Sequence, residues 1–154
     1  MLTRGAAIET VEELLELARW APNHHLTAPW RFRVVGPQAL ERLKEAAGPE
    51  AAPKLDRCPT LIVASCALSG DPDQDEEDLH ATAVAAYIVL LAAHARGLAG
   101  YWRTPGFLRT ASGRDAVGLP DREHFVGLLH LGHPIQDQRP PDRAAGQSAV
   151  SHLD

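Results

Sequence analysis

The chain has 154 residues, 45 % of them hydrophobic, and a formal net charge of −5. That length fits a single domain spanning 1–154, and no cluster of Lys or Arg supplies the footprint that nucleic-acid binding needs. The N-terminus lacks an apolar signal stretch, and the longest apolar run, Ala81 to Ala93, is too short to cross a bilayer. Cys58 and Cys66 form no CxxC pair, so they read as reduced thiols of a cytoplasmic protein.

Thr10 and Glu13 have the spacing of a capping box, and Val11, Leu14, Leu15 and Ala18 follow at helical spacing. The pattern predicts a helix over 10–20, ended by Pro22. Trp30, Phe32 and Val34 alternate with Arg31 and Arg33, the period of a strand with one buried face. Gly36-Pro37 punctuates it, and 38–47 reads as an amphipathic helix with Leu40 and Leu43 inward. Residues 48–57 are rich in Pro and Ala and show no clear period. The run 59–66, Pro-Thr-Leu-Ile-Val-Ala-Ser-Cys, reads as a fully buried strand.

The acidic stretch 69–78 reads as a solvated loop. Residues 79–96 form the clearest helix, apolar on most faces and closed by Gly97. A cylinder that is apolar nearly all round must be covered on all sides, and in so small a domain a second copy of the same helix can supply the cover. A short strand over 98–103, a helix over 108–117 weakened by Gly113, and a buried strand over 125–131 follow. The last twenty residues, about 135–154, read as a polar extended tail. Helices and strands mix without strict alternation, which predicts an α+β sandwich: a sheet of roughly four strands with helices on its faces.

Two turn segments carry the chemistry. The first is Ala21-Pro22-Asn23-His24-His25-Leu26-Thr27-Ala28-Pro29-Trp30, and the second is Gly97-Leu98-Ala99-Gly100-Tyr101-Trp102-Arg103-Thr104-Pro105-Gly106. In order and spacing they resemble the flavin (FMN) nitroreductase family, most closely its small branch, which reads roughly Ala-Pro-Asp-His-x-x-x-Gln-Pro-Trp and then Gly-x-Trp-Arg-Ser/Thr-Gly. The resemblance covers about residues 10–134. It implies an α/β/α sandwich with a mostly antiparallel sheet, a long buried dimer helix at 79–96, and FMN in a cleft between subunits. The implied activity is NAD(P)H-dependent reduction of nitroaromatics, quinones or similar electron-poor acceptors by ping-pong hydride transfer. No protein acid or base is required, in keeping with the absence of any catalytic dyad, nucleophile motif or metal-ligating spacing.

Carried over by position, Trp102, Arg103, Thr104 and Gly106 address the flavin's reactive edge. His24 reaches the ribityl chain or phosphate of the flavin bound mainly by the other subunit, and Arg139 and Arg143 stand where the family has a C-terminal basic pair. The chain departs from the family at four points. The Arg-Arg-Ser-like segment that grips the phosphate would precede Met1, Trp20 stands where the branch often has Arg, Ala28 replaces Gln, and Pro105 brings no N–H to the bend. These departures leave a second reading open: a non-catalytic or weakly flavin-binding relative that keeps the dimeric fold as a ligand-binding or interaction protein.

Overall fold

The computed structural model describes residues 5–136, 139–143 and 146–153. Helix α1 spans Ile8–Ala18, strand β1 Trp30–Val34, helix α2 Pro37–Leu55 and strand β2 Thr60–Ala67. Helix α3 runs over Pro72–Ala95, β3 over Ala99–Arg103, α4 over Ala111–Ala116 and β4 over Glu123–Gly132. The strands form one sheet in the order β1-β2-β4-β3, every neighbouring pair antiparallel.

Helices cover both faces of the sheet, giving the expected α/β/α layering. On one face α1 and α3 bury Val11, Leu14, Ala85 and Val89 against Ile62, Leu129 and Leu131. On the other, α2 and α4 enclose Leu43, Leu55, Val63, Leu108, Phe125 and Leu128. β2 is buried along almost its whole length because it lies between β1 and β4 with a helical layer on each side. At the open end of β1, Arg33 donates to both carboxylate oxygens of Glu123 at 2.8 and 3.0 Å, and the Ser65 hydroxyl donates to the same carboxylate at 2.6 Å.

Several local expectations are corrected. α1 begins at Ile8 with Ala7 at its N-cap and no side-chain cap. Thr10 therefore falls inside the first turn, and the Thr10–Glu13 capping box does not form. The Pro- and Ala-rich 48–57 stretch is mostly helical. Gly48, at φ 73° and ψ 174°, breaks α2 into two segments, and Pro49 opens the second at a position where its missing N–H costs nothing.

The acidic stretch is not a loop beyond its first three residues. Asp71 caps α3 by accepting from the Asp73 and Gln74 amides, and Pro72 with its acidic neighbours forms the first turn, where the helix dipole favours them. The helix expected over 108–117 is a 3₁₀ turn, Gly106–Arg109, followed by α4. Thr110 separates them and caps α4 through Gly113 N–H. A Cβ on Gly113 would stand 2.7 Å from the Phe107 carbonyl carbon and closer still to its oxygen. This glycine lets α4 pack directly against the turn rather than weakening it.

α3 is long and apolar enough to pass a length-and-composition test for a membrane span. Its buried residues Ala81, Ala85, Ala86, Val89 and Ala93 instead pack it into the protein core. Its outward face nevertheless keeps Val84, Tyr87 and Leu91 exposed, with Tyr87 58 % accessible.

Candidate functional site

The site grows from the end of β3. Along this edge strand side chains alternate: Gly100 and Trp102 point toward α3, Tyr101 and Arg103 toward α2. Trp102 lies over Gly127, where a Cβ would come within 2.6 Å of its Cδ1 and Cε2, and its Nε1 donates to the Val126 carbonyl at 3.1 Å. On the other face Tyr101 stacks on His130, its cross-strand partner, with ring centroids 4.5 Å apart. The Arg103 guanidinium sits 5.7 Å from the Tyr101 ring centroid. After Arg103 the chain bends through Thr104 and Pro105 into the 3₁₀ turn, and Pro105 C=O accepts from Leu108 N–H.

This bend, α2 on either side of its Gly48 break and the α2-side face of β4 border a cavity of about 610 Å³. Its walls are Ala47, Ala51, Lys54 and Leu55 from α2, residues 102–107 from the bend, and Leu128 and His130 from β4. The volume is in the range of small-molecule sites, and the lining is mainly apolar with a few polar groups converging on it. The polar residues in that lining are Lys54, Arg103, Thr104 and His130. The opening N–H groups of the 3₁₀ turn add backbone donors, since the turn itself gives them no acceptor. Pro105 contributes none.

His130 is 1 % exposed, and neither of its ring nitrogens has a hydrogen-bond partner among the described residues. Burial, assisted by the nearby Arg103 charge, pushes its pKa down to about 4, so the ring is neutral at physiological pH.

Trp102, Arg103, Thr104 and Gly106 thus share one cavity. His24 lies elsewhere, lining a shallower cavity of about 460 Å³ with Pro22, Asn23, Glu77, His80 and Val84. The loop that carries it is tightly tied. His24 Nδ1 lies 2.5 Å from Glu77 Oε2, Thr27 donates to buried Asp78 at 2.5 Å, and Asn23 Oδ1 accepts from Ala28 N–H at 2.9 Å. His25, Leu26 and Ala28 hold φ values of 55°, 53° and 45°, a left-handed conformation that costs energy in residues with a Cβ. Arg139 and Arg143 are exposed on the tail and line neither cavity.

Sequence reasoning missed Lys54 and His130. Lys54 fell in a stretch without period, and His130 sat inside an apolar run where a histidine reads as core. The one available signal was His130 itself, the sole ionisable group between Phe125 and Leu131.

The antiparallel four-stranded sheet between two helical layers, with a cavity at the edge-strand bend, is the architecture of an oxidoreductase family. The nitroreductase family profile matches residues 7–54 and 46–133, and the chain belongs to that family. The candidate NAD(P)H nitroreductase YdjA of Escherichia coli K12 is 28 % identical over 141 residues, covering 82 % of this chain and 76 % of YdjA. Among solved structures, a nitroreductase-like family protein from Bacillus cereus superimposes with a TM-score of 0.87 at 23 % identity, covering 99 % of this chain and 89 % of that one. A candidate nitroreductase in complex with FMN from Desulfovibrio desulfuricans superimposes with a TM-score of 0.76 at 24 % identity, covering 97 % and 87 %.

Proposed function

We propose that this protein is a cytoplasmic, homodimeric FMN-dependent oxidoreductase that uses NAD(P)H to reduce nitroaromatic, quinone or similar electron-poor acceptors. The observation that carries the reading is the convergence of Lys54, Arg103, Thr104 and the Gly106 turn on one mainly apolar cavity beside the β3 edge. The donor set fits a flavin. Apolar walls suit a flat ring, backbone and Thr donors suit its carbonyl edge, and two cations suit the negative charge that a reduced flavin carries. FMN, when bound, accepts hydride from NAD(P)H and passes reducing equivalents to the acceptor in a ping-pong cycle.

What the chain's own residues do is bind and orient. Arg103, held over Tyr101, and Lys54, on the second segment of α2, place positive charge at the cavity. The Thr104–Gly106 bend brings a hydroxyl and backbone N–H groups to the cavity wall, and Trp102 fixes the strand that carries the bend. His24 and the bend line separate cavities within one copy, which suits a site completed across a two-fold axis. In this reading the partner subunit's His24, with Arg139 and Arg143 from the tail, takes the ribityl and phosphate end. The homodimer rests on α3: Val84, Tyr87 and Leu91 form a stripe at three- and four-residue spacing that only another protein surface would cover. The free thiols of Cys58 and Cys66 suit a reducing compartment.

Pro105 favours the second reading, a relative that keeps the fold but binds flavin weakly, because it removes a backbone donor from the bend. One experiment separates them. Purified protein is soaked in FMN, dialysed, and examined for flavin absorption and for NADH or NADPH oxidation with a quinone or nitroaromatic. A yellow protein that turns over supports the enzyme, and a colourless one refutes it.

A further inference from the structure

The unpartnered imidazole in the cavity wall calls for an explanation. His130 is 1 % exposed with both nitrogens unpaired among the described residues, whereas its neighbours on β4, Leu128, Leu129 and Leu131, are all apolar. Buried polar groups are nearly always satisfied, and leaving one unmatched costs stability. The stack under Tyr101 holds the ring plane but supplies no acceptor or donor to its nitrogens. His130 belongs to the wall of the cavity, so an occupant there is the nearest source of a partner once a side chain shifts.

We propose that His130 is a ligand-binding residue, hydrogen-bonding through one ring nitrogen to the polar edge of the flavin ring held in this cavity. The inference rests on the flavin reading above. A neutral imidazole carries one donor and one acceptor, and the pyrimidine edge of a flavin alternates carbonyl acceptors with an imide N–H, so either tautomer finds a match. The terminal torsion of a histidine is broad, and Tyr101, which covers the ring, is 41 % exposed. A small rotation of either side chain turns a nitrogen toward the cavity.

The test compares wild-type protein with His130→Leu, both flavin-free, by titration with FMN followed through quenching of flavin fluorescence and by urea unfolding. The variant binds FMN about tenfold more weakly, equivalent to about 1.4 kcal/mol, while its unfolding midpoint without FMN stays level or rises. That opposition is the signature, because a histidine retained for packing alone would lower stability and leave affinity unmoved. In wild-type protein labelled with ¹⁵N-histidine, saturating FMN shifts the ring-nitrogen resonances of His130, a readout that survives if the variant fails to fold. Wild-type affinity in His130→Leu, or ring resonances that FMN leaves in place, overturns the inference. Wild-type protein that takes up no FMN overturns the flavin reading, and this inference with it.

Discussion

Gly127→Ala tests how firmly the core holds the bend. A Cβ at this position would lie 2.6 Å from Cδ1 and Cε2 of Trp102, against about 3.5–4.0 Å for carbon atoms at rest. The indole Nε1 would lie closer still, so relief requires the ring to move by more than about 1 Å, and the strands cannot yield because Trp102 and Leu129 are paired in the ladder between β3 and β4. Overpacking of this kind costs about 1–3 kcal/mol, and losing the Nε1 bond to Val126 adds about 1 kcal/mol. Replacing glycine in a strand returns about 0.5–1 kcal/mol. The net expectation is about 1–3.5 kcal/mol of destabilisation in urea unfolding, with loosened FMN retention because β3 leads straight into Arg103 and Thr104. In a Trp102→Leu background the same glycine substitution should be nearly neutral, so the double-mutant cycle carries a coupling of about 2 kcal/mol. A single-mutant cost below about 0.5 kcal/mol, or an equal cost with and without the indole, would refute the reasoning.

Three further outcomes follow from contacts elsewhere. Burial pushes the Glu123 carboxyl up, but hydrogen bonds from Arg33 and Ser65 outweigh it and hold the group below the usual carboxylate range. Its folded pKa is depressed, so its contribution is present above that range and lost as pH falls through it. Arg33→Met should thus cost about 3 kcal/mol near neutral pH, the deficit shrinking as acid protonates the carboxyl; a deficit independent of pH in urea titrations argues against the pair. Tyr87→Asp places charge on the exposed α3 stripe and should yield a monomer by light scattering with an unchanged far-UV spectrum, and a persisting dimer locates the interface elsewhere. Asp78→Ala leaves Thr27 and Gln74 without their acceptor, so amides 23–28 should exchange hydrogen faster while β2 stays protected; equal protection shows the loop is held by other means.

The sheet and the main helices were legible because burial imposes a period on side chains. β2, buried on both faces, shows as an unbroken apolar run, and β1, half-buried, as alternation of Trp30 and Phe32 with arginines. What was not legible depended on contacts distant in sequence or on backbone details without a period. The acidic residues 71–78 look solvated because their composition is polar, yet each of several has a specific partner. Asp71 holds the first amides of α3, Asp75 accepts from Ser69, Glu77 meets His24 and Asp78 meets Thr27. Residues 48–57 show no clear period in sequence because Gly48 interrupts α2 and leaves Pro49 at the start of its second segment.

The same division runs through the candidate site. Its local part, Arg103 through Gly106, is contiguous and could be read as a motif. Its assembled part, Lys54 from α2 and His130 from β4, comes together only when α2 bends at Gly48 and β4 takes its register against β3. The Tyr101–His130 pair follows from that register, and a one-residue slip would turn His130 to the α3 face. The register is held where Gly127 admits the Trp102 indole, since a side chain there would collide with it. Trp102 and His130 are thus placed by one strand pairing, with the Trp102 indole packed over Gly127 on one face and His130 in the cavity wall on the other. The two lesions should therefore be separable: Gly127→Ala should weaken FMN binding by displacing Trp102 at a cost in stability, and His130→Leu should weaken it without loosening the core.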